Sequence, residues 1–258
     1  MPTHLHTSLI YGPVHSRRLG ASLGVNLLPP DGKVCTFDCL YCECGMNGER
    51  RTHSALPQRK DVVDQLERRL REIAASGEPL DDITFVGNGE PTVNPAFPQI
   101  VDDTLALRNA LAPQATVSVL SNGSLAGRPA VHAALEKLDG NILKLDAVDE
   151  DYVRFLDRPQ GRFSLDETLR VYESFEGNVS IQTMFVHGRV LGHDVDNTSD
   201  AFVRPWLAAL RRIRPKIVEV YTVDRITPVP GFEKVPPEDL DAIRDRVRAL
   251  GIPCMAAY

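Results

Sequence analysis

The chain has 258 residues, 43% of them hydrophobic, with 35 acidic and 29 basic side chains for a formal net charge of −6. That is enough apolar content for a full core, and the acidic balance gives no support for tight, non-specific nucleic-acid binding, which draws on a basic field. No window approaches the roughly 18 consecutive apolar residues of a spanning helix, so no membrane partner is expected.

In chain order, residues 24–28 read as a strand closed off by Pro29 and Pro30, and a cysteine-rich loop follows. Val62, Leu66, Leu70 and Ile73 recur on one face of a helix over residues 58–75. Residues 83–86 form the next strand and run straight into Gly87-Asn88-Gly89-Glu90-Pro91. A helix over 96–110 precedes a strand over 116–120 that ends at Ser121-Asn122-Gly123. A short helix over 129–138 leads to a strand over 141–145, ending near Asp146.

A helix over 165–175, a strand over 179–186, a helix over 199–212 and a strand over 217–223 continue the pattern. The last helix, 237–250, is stopped by Gly251 and Pro253. Regular strand–helix alternation predicts an α/β fold with a parallel sheet. Six units make a partial (β/α)6 TIM-like barrel, open on one side, the natural expectation. A flat doubly wound sheet is the competitor, and periodicity does not separate the two. The whole chain, 1–258, reads as one domain, with an N-terminal extension to about residue 22 and a C-terminal tail over about 251–258.

The motifs gather at one edge. The cysteine loop, Gly87–Pro91, Ser121-Asn122 and Lys144-x-Asp146 all follow the carboxyl ends of predicted strands. Active sites of parallel α/β folds sit there.

Cys35, Cys39 and Cys42 follow a C-x3-C-x2-C spacing. Three thiolates leave a four-iron cluster one ligand short, so one iron stays free for another molecule. Incidental thiols fit poorly with three cysteines in eight residues. A structural zinc site would recruit Cys44, but zinc knuckles are usually split by a long span. A simple electron-transfer cluster would need Cys254 as its distant fourth ligand. The five cysteines are odd in number and suit a reducing cytoplasm better than a secreted disulfide framework. The N-terminus shows no signal-peptide pattern.

The run Cys35-Thr36-Phe37-Asp38-Cys39-Leu40-Tyr41-Cys42 resembles the signature of the radical S-adenosylmethionine (SAM) enzymes. So do Ser16–Gly20 with Gly24-Val25-Asn26, then Phe85–Thr92, then Leu120–Gly123, which are similar to a subgroup of small radical SAM proteins related to wybutosine-type tRNA-modification enzymes. The resemblance runs from about residue 10 to residue 250. It implies that Cys35, Cys39 and Cys42 hold a [4Fe–4S] cluster and that SAM chelates the fourth iron. One electron then cleaves SAM to a 5′-deoxyadenosyl radical, which takes hydrogen from a substrate. An electron donor such as flavodoxin or ferredoxin is implied. The substrate is open: a small molecule, a peptide or protein, or RNA. An iron–sulfur electron carrier is the non-enzymatic alternative.

The resemblance also suggests roles for residues. Gly87, Asn88, Gly89, Glu90 and Pro91 match the family's glycine-rich element, with Asn88 where a small residue is usual, and Glu90 would accept from the SAM ammonium. Ser121 and Asn122 would bond the carboxylate or ribose, or else only form a turn or cap. Lys144 stands in an apolar run, where a lysine calls for a partner. Asp146, two residues on, shares its face, and the pair would meet the cofactor or simply each other. Gln182 would lie near the ribose, and Phe37 and Tyr41 would shield the cluster or pack in the core. Arg17, Arg18, His187, Asn197, Asp224 and Arg225 are weaker substrate contacts, with solvated surface as the plainer reading. The same plain reading holds for the His15/Arg17/Arg18 and Arg211/Arg212/Arg214 clusters. Cys44 and Cys254 read as spare buried thiols.

Overall fold

The computed structural model describes residues 5–49 and 52–258. The sheet begins with a hairpin, β1 (Ile10–Ser16) antiparallel to β2 (Gly20–Val25). From β2 onward every neighbour is parallel: β3 (Asp82–Phe85), β4 (Thr116–Ser121), β5 (Gly140–Lys144), β6 (Ser180–Phe185), β7 (Ile217–Thr222) and β8 (Cys254–Ala257). This sheet is curled into a half-barrel with helices outside it, as the six-unit reading expected. The predicted tail supplies one further parallel strand, β8, paired with β7.

The first predicted strand is displaced. The sheet pairs Ser22 with Asp82 through Val25 with Phe85, and residues 26–28 leave it. The Asn26 side chain turns the chain there by accepting from Leu28 N at 3.2 Å. Leu27 and Leu28 stay buried in the turn, which is why their apolar character reads as strand.

The crossovers are α1 (Arg59–Ser76), α2 (Phe97–Leu111), α3 (Pro129–Leu135), α4 (Glu150–Leu156) with α5 (Leu165–Glu173), α6 (Asp200–Ile213) and α7 (Pro237–Arg248). α1 buries Val62, Leu66, Leu70 and Ile73, the four residues its periodicity picked out. Alternation within the strands sorts the sheet's two faces. Leu23, Val25, Ile83, Phe85, Val117, Val119, Ile181, Val218 and Val220 pack with the helices in the main core. The opposite, concave face is polar: Ser22 bonds Thr84 at 2.6 Å, Ser118 donates to Asp82 at 2.6 Å, and Gln182 donates to Glu219 at 2.9 Å.

α4 was not foreseen. Asp149 caps it by accepting from Tyr152 N, with Glu150 and Asp151 in its first turn. Its Tyr152, Val153 and Leu156 join Phe37, Cys39, Leu40 and Tyr41 in a second, smaller apolar cluster. That cluster seats the cysteine loop. The open side of the half-barrel is spanned by the hairpin turn. Arg18 lies 3.5 Å from Glu219 of β7 and over the Tyr221 ring, and Arg17 pairs with Asp224 and donates to the Tyr258 carbonyl. No helix among the described residues is long and apolar enough to cross a membrane.

Candidate functional site

The carboxyl ends of β2 to β6 enclose a cavity of about 180 Å³. Cys35, Cys39, Cys42 and Cys44 line it together with Phe37, Tyr41, Gly87, Gly89, Glu90, Ser121, Asn122, Lys144 and Gln182. Residues from three separate loops, the end of β5 and the middle of β6 thus meet at one place. Asn88 and Pro91 do not line it. Asn88 turns its amide away, donating to the carbonyls of His6 and Pro29 at 2.9 and 2.8 Å. Pro91 begins a short 3-10 turn beneath Glu90. Asp146 lies to one side, against Lys144 and Phe37 in a small adjoining cavity.

The cysteine loop is held by backbone on several sides. Val34 N donates to Asn88 O at 2.9 Å, and Glu90 N donates to Val34 O at 3.0 Å. Asp38 N and Leu40 N donate to the carbonyls of Asp157 and Leu156, at 3.0 and 2.9 Å, and Gln160 N donates to Thr36 O at 2.7 Å. Asn47 closes the inside of the loop, its amide donating to the carbonyls of Cys35 and Phe37 at 3.2 and 3.1 Å. Glycine is required at the contact with the next strand: a Cβ on Gly87 would stand 2.2 Å from Asn26 Oδ1.

All five cysteines are free thiols. Among the described residues no three His, Cys, Asp or Glu side chains converge on a point that a single metal ion could occupy. Cys35, Cys39, Cys42 and Cys44 all line the cavity. Burial pushes Cys35 up to about 12, with Glu90 adding to it, and raises Cys39 as well. A hydrogen bond from Cys44 brings Cys42 down to about 6 against the effect of burial, and Cys44 rises correspondingly. Cys44 also donates to Gly87 O at 3.5 Å.

Behind the loop sits Lys33, 5% exposed, donating to Gly45 O at 2.8 Å and 3.5 Å from Asp38. Burial pulls its ammonium down, but the thiols of Cys42, Cys35 and Cys39 outweigh that and raise it. A buried cation next to three potential thiolates offsets the charge that a thiolate-bound cluster brings. Three thiols and two glycines lining the same cavity, with this cation behind them, fit a cluster held by three cysteines.

Glu90 ties two strand ends together. Its Oε1 accepts from Thr92 N, Thr92 Oγ1 and Ser121 Oγ at 3.1, 2.6 and 2.8 Å, and its Oε2 accepts from Asn122 N at 2.7 Å. Burial raises its carboxyl while those donors oppose the shift. Oε2 keeps capacity for one more donor. Ser121 accepts from Gly123 N at 3.0 Å, and Asn122 Oδ1 from Ser124 N at 3.0 Å. Both therefore make the expected turn, and they line the cavity as well. The Asn122 amide donates to Thr36 Oγ1 at 2.8 Å and reaches Cys35 Sγ at 3.6 Å.

Lys144 and Asp146 form the ion pair that their shared face suggested, at 3.1 Å. The network is wider than the pair. Tyr41 donates to Asp146 and, at 3.1 Å, to Asp157, while Lys144 donates to the Tyr41 hydroxyl. Burial and the neighbouring Asp146 push Asp157 up to about 7. Burial opposes the Lys144 ammonium, but Asp146 and Cys39 raise it well above the ordinary range. Asp157 was missed in the sequence. Its signal, an aspartate closing a short amphipathic helix, is weak alone and gains meaning only from the loop that docks on it.

The weaker candidates disperse. Asn197 is fully buried and structural, accepting from Val186 N and donating to the carbonyls of Asp146 and Met184; it contacts no surface. His187 faces Thr198 and Asp196. Arg225 pairs with Glu43 at 2.6 Å, and Asp224 with Lys234 at 3.1 Å. Cys254 is buried within β8.

The family description "Radical SAM superfamily" matches residues 30–247. A UPF0026 protein of Helicobacter pylori is 29% identical over 220 residues, covering 84% of this chain and 67% of that protein. A radical SAM methyltransferase from Sphaerobacter thermophilus superposes with a TM-score of 0.65 at 18% identity, over 92% of this chain and 66% of that one. TYW1 with a lysine-pyruvate adduct bound gives a TM-score of 0.59 at 15% identity, over 88% and 73%. The two structures share the fold. The chain spans about two thirds of the length of the relative and of the methyltransferase.

Proposed function

This chain belongs to the radical SAM superfamily, enzymes that work with a [4Fe–4S] cluster and S-adenosylmethionine, and we propose that Cys35, Cys39 and Cys42 are its cluster ligands. When bound, the cluster and SAM supply a 5′-deoxyadenosyl radical able to take hydrogen from a substrate. The convergence of three thiols with Glu90, Asn122, Lys144 and Gln182 on one cavity carries the reading.

In this reading Glu90 and the backbone carbonyls of Gly87 and Gly89 would hold the SAM ammonium. Lys144, held by Tyr41 and Asp146, would offer a fixed cation to the SAM carboxylate, with Asn122 and Ser121 to assist. Gln182, its amide held by Glu219, would be left with its oxygen for the ribose. Phe37 and Tyr41 would keep water from the cluster. Cys44 is a neighbour of Cys42 and not a ligand.

The substrate would enter along the polar concave face. Cations at the mouth are paired, Arg225 with Glu43 and both Arg17 and Lys234 with Asp224. A tRNA substrate calls for free cations there, so the pairing supports a small molecule or a peptide. Five free thiols support a reducing, cytoplasmic setting.

Anaerobic reconstitution tests the assignment. The chain should bind about four irons and four sulfides and, once reduced, turn SAM into 5′-deoxyadenosine. Ala at Cys35, Cys39 or Cys42 should abolish the cluster, and Cys44→Ala should keep it. Zinc in place of iron, or cluster loss in Cys44→Ala, would sink the assignment.

A further inference from the structure

Register sets out a row across the concave face: Lys144 of β5 beside Gln182 of β6, and Gln182 beside Glu219 of β7. Two strand spacings put the backbone of Glu219 roughly 10 Å from that of Lys144. The cavity lined by the cysteines reaches Gln182 and takes no residue from β7. Tyr221, two residues beyond Glu219, shares its face. Arg18 arrives over it from the hairpin turn, with its guanidinium 5.2 Å from the centre of the Tyr221 ring.

Arg18 and Glu219 form an incomplete ion pair. They meet through Arg18 Nε and Glu219 Oε2 at 3.5 Å, longer than the roughly 2.7–2.9 Å of a charge-assisted hydrogen bond. Oε2 already accepts from the Gln182 amide at 2.9 Å. Among the described residues, Arg18 Nη1 and Nη2 find no acceptor and Glu219 Oε1 finds no donor. Both groups are nonetheless largely withdrawn from water: Glu219 is 4% exposed and the Arg18 side chain 21%. A guanidinium and a carboxylate this close commonly join by two parallel bonds. Here Arg18 stays stacked on Tyr221 and Glu219 stays on Gln182, and each keeps bonding capacity facing the concave side.

We propose that Arg18 and Glu219 together bind the α-carboxylate and α-ammonium of a free amino acid, the substrate of this site. The inference rests on reading the cysteine cavity as the SAM site and names the substrate class that goes with it. The open edge of the guanidinium matches the two oxygens of a carboxylate, and Glu219 Oε1 accepts from an ammonium. One positive and one negative charge suit a zwitterion and give a phosphate dianion no net attraction. The two open groups are adjacent, as the charges of an α-amino acid are, whereas those of a peptide lie at opposite ends. The spacing of roughly 10 Å from Lys144 puts such a molecule beside SAM and not in its place.

The test is calorimetric titration of the cluster-loaded chain, with SAM present, using the common L-amino acids as probes. The best binder is then compared with its carboxamide, its N-acetyl derivative and the dipeptide made from it. Each of the three should bind at least about tenfold more weakly than the parent. Arg18→Gln should erase the preference for the parent over the carboxamide, and Glu219→Gln the preference over the N-acetyl derivative; a merely structural pair would leave both preferences standing. SAM affinity in Arg18→Gln should equal that of wild type. A wild-type chain that binds SAM and no amino acid overturns this inference alone, as do derivatives that bind as well as the parent or preferences that survive in both variants. SAM affinity lost together with amino-acid affinity in Arg18→Gln would give the pair to the cofactor and overturn it too. A wild-type chain that binds the amino acid and no SAM overturns the cavity reading instead.

Discussion

Gly89 lies directly under Val34, the two forming a parallel bridge, and a Cβ on Gly89 would stand 2.0 Å from the Val34 carbonyl oxygen. Its φ of +134° is also one that side-chain-bearing residues rarely adopt. The contact fixes where the chain enters the cysteine loop. Gly89→Ala should therefore displace Cys35 and lower iron content after reconstitution several-fold, while far-ultraviolet circular dichroism stays near wild type. Full iron loading in this variant would show that the bridge does not set the ligand's position.

Glu90 is a clasp between β3 and β4 as much as a cofactor residue. Glu90→Ala orphans the amides of Thr92 and Asn122, at roughly 1–3 kcal/mol each. Glu90→Gln keeps an acceptor and should lose less stability. Both should weaken SAM binding. Urea unfolding beside SAM titration separates the roles: equal affinity in Gln and wild type would leave Glu90 with the structural one only.

Lys144 is the cation in a buried set with Tyr41, Asp146 and Asp157. Lys144→Met leaves the carboxylates uncompensated, a change on the order of 3–5 kcal/mol. Double replacement with Asp146→Asn should recover part of that loss, because it removes one of the stranded charges. SAM affinity should not recover with it. Recovery of both would reduce Lys144 to an ion-pair partner.

Asp82, on the concave face far from the cysteines, gives a pH signature. Burial raises its carboxyl above the ordinary 3.8, against the hydroxyls of Ser118, Thr116 and Thr84. The folded state thus holds its proton more tightly than the unfolded chain. Stability from this group is greatest below 3.8, falls as pH rises through the folded value, and stays lower above it. Asp82→Asn lacks that titration. The difference in urea midpoint between variant and wild type should grow in the variant's favour across that window and then level off. A pH-independent difference would place the cost elsewhere.

The sequence carried the sheet's direction and the cavity's main residues because both rest on local signals. Period-2 alternation put Lys144 and Asp146 on one face, and their ion pair follows from it. Strand-end glycines marked where the loops meet. What it did not carry depends on contacts between distant segments. Asp157 matters because Tyr41 and the Asp38 amide come to it across more than 100 residues. Asn197 reads as a loop-end polar residue, yet it is fully buried and bonds Val186, Met184 and Asp146. The 254–257 segment is too short to announce a strand until β7 offers it a partner.

The cysteine loop is tied to the rest of the protein by more than its thiols: Val34 on Asn88 and Glu90, Asp38 and Leu40 on the end of α4, Asn47 across its interior. In a zinc finger the metal is what folds the chain. Here part of the loop's ordering comes from bonds that no thiolate makes. Loss of iron should then cost less of the fold than it does in a zinc finger, and melting an iron-poor preparation while following its colour would measure that share.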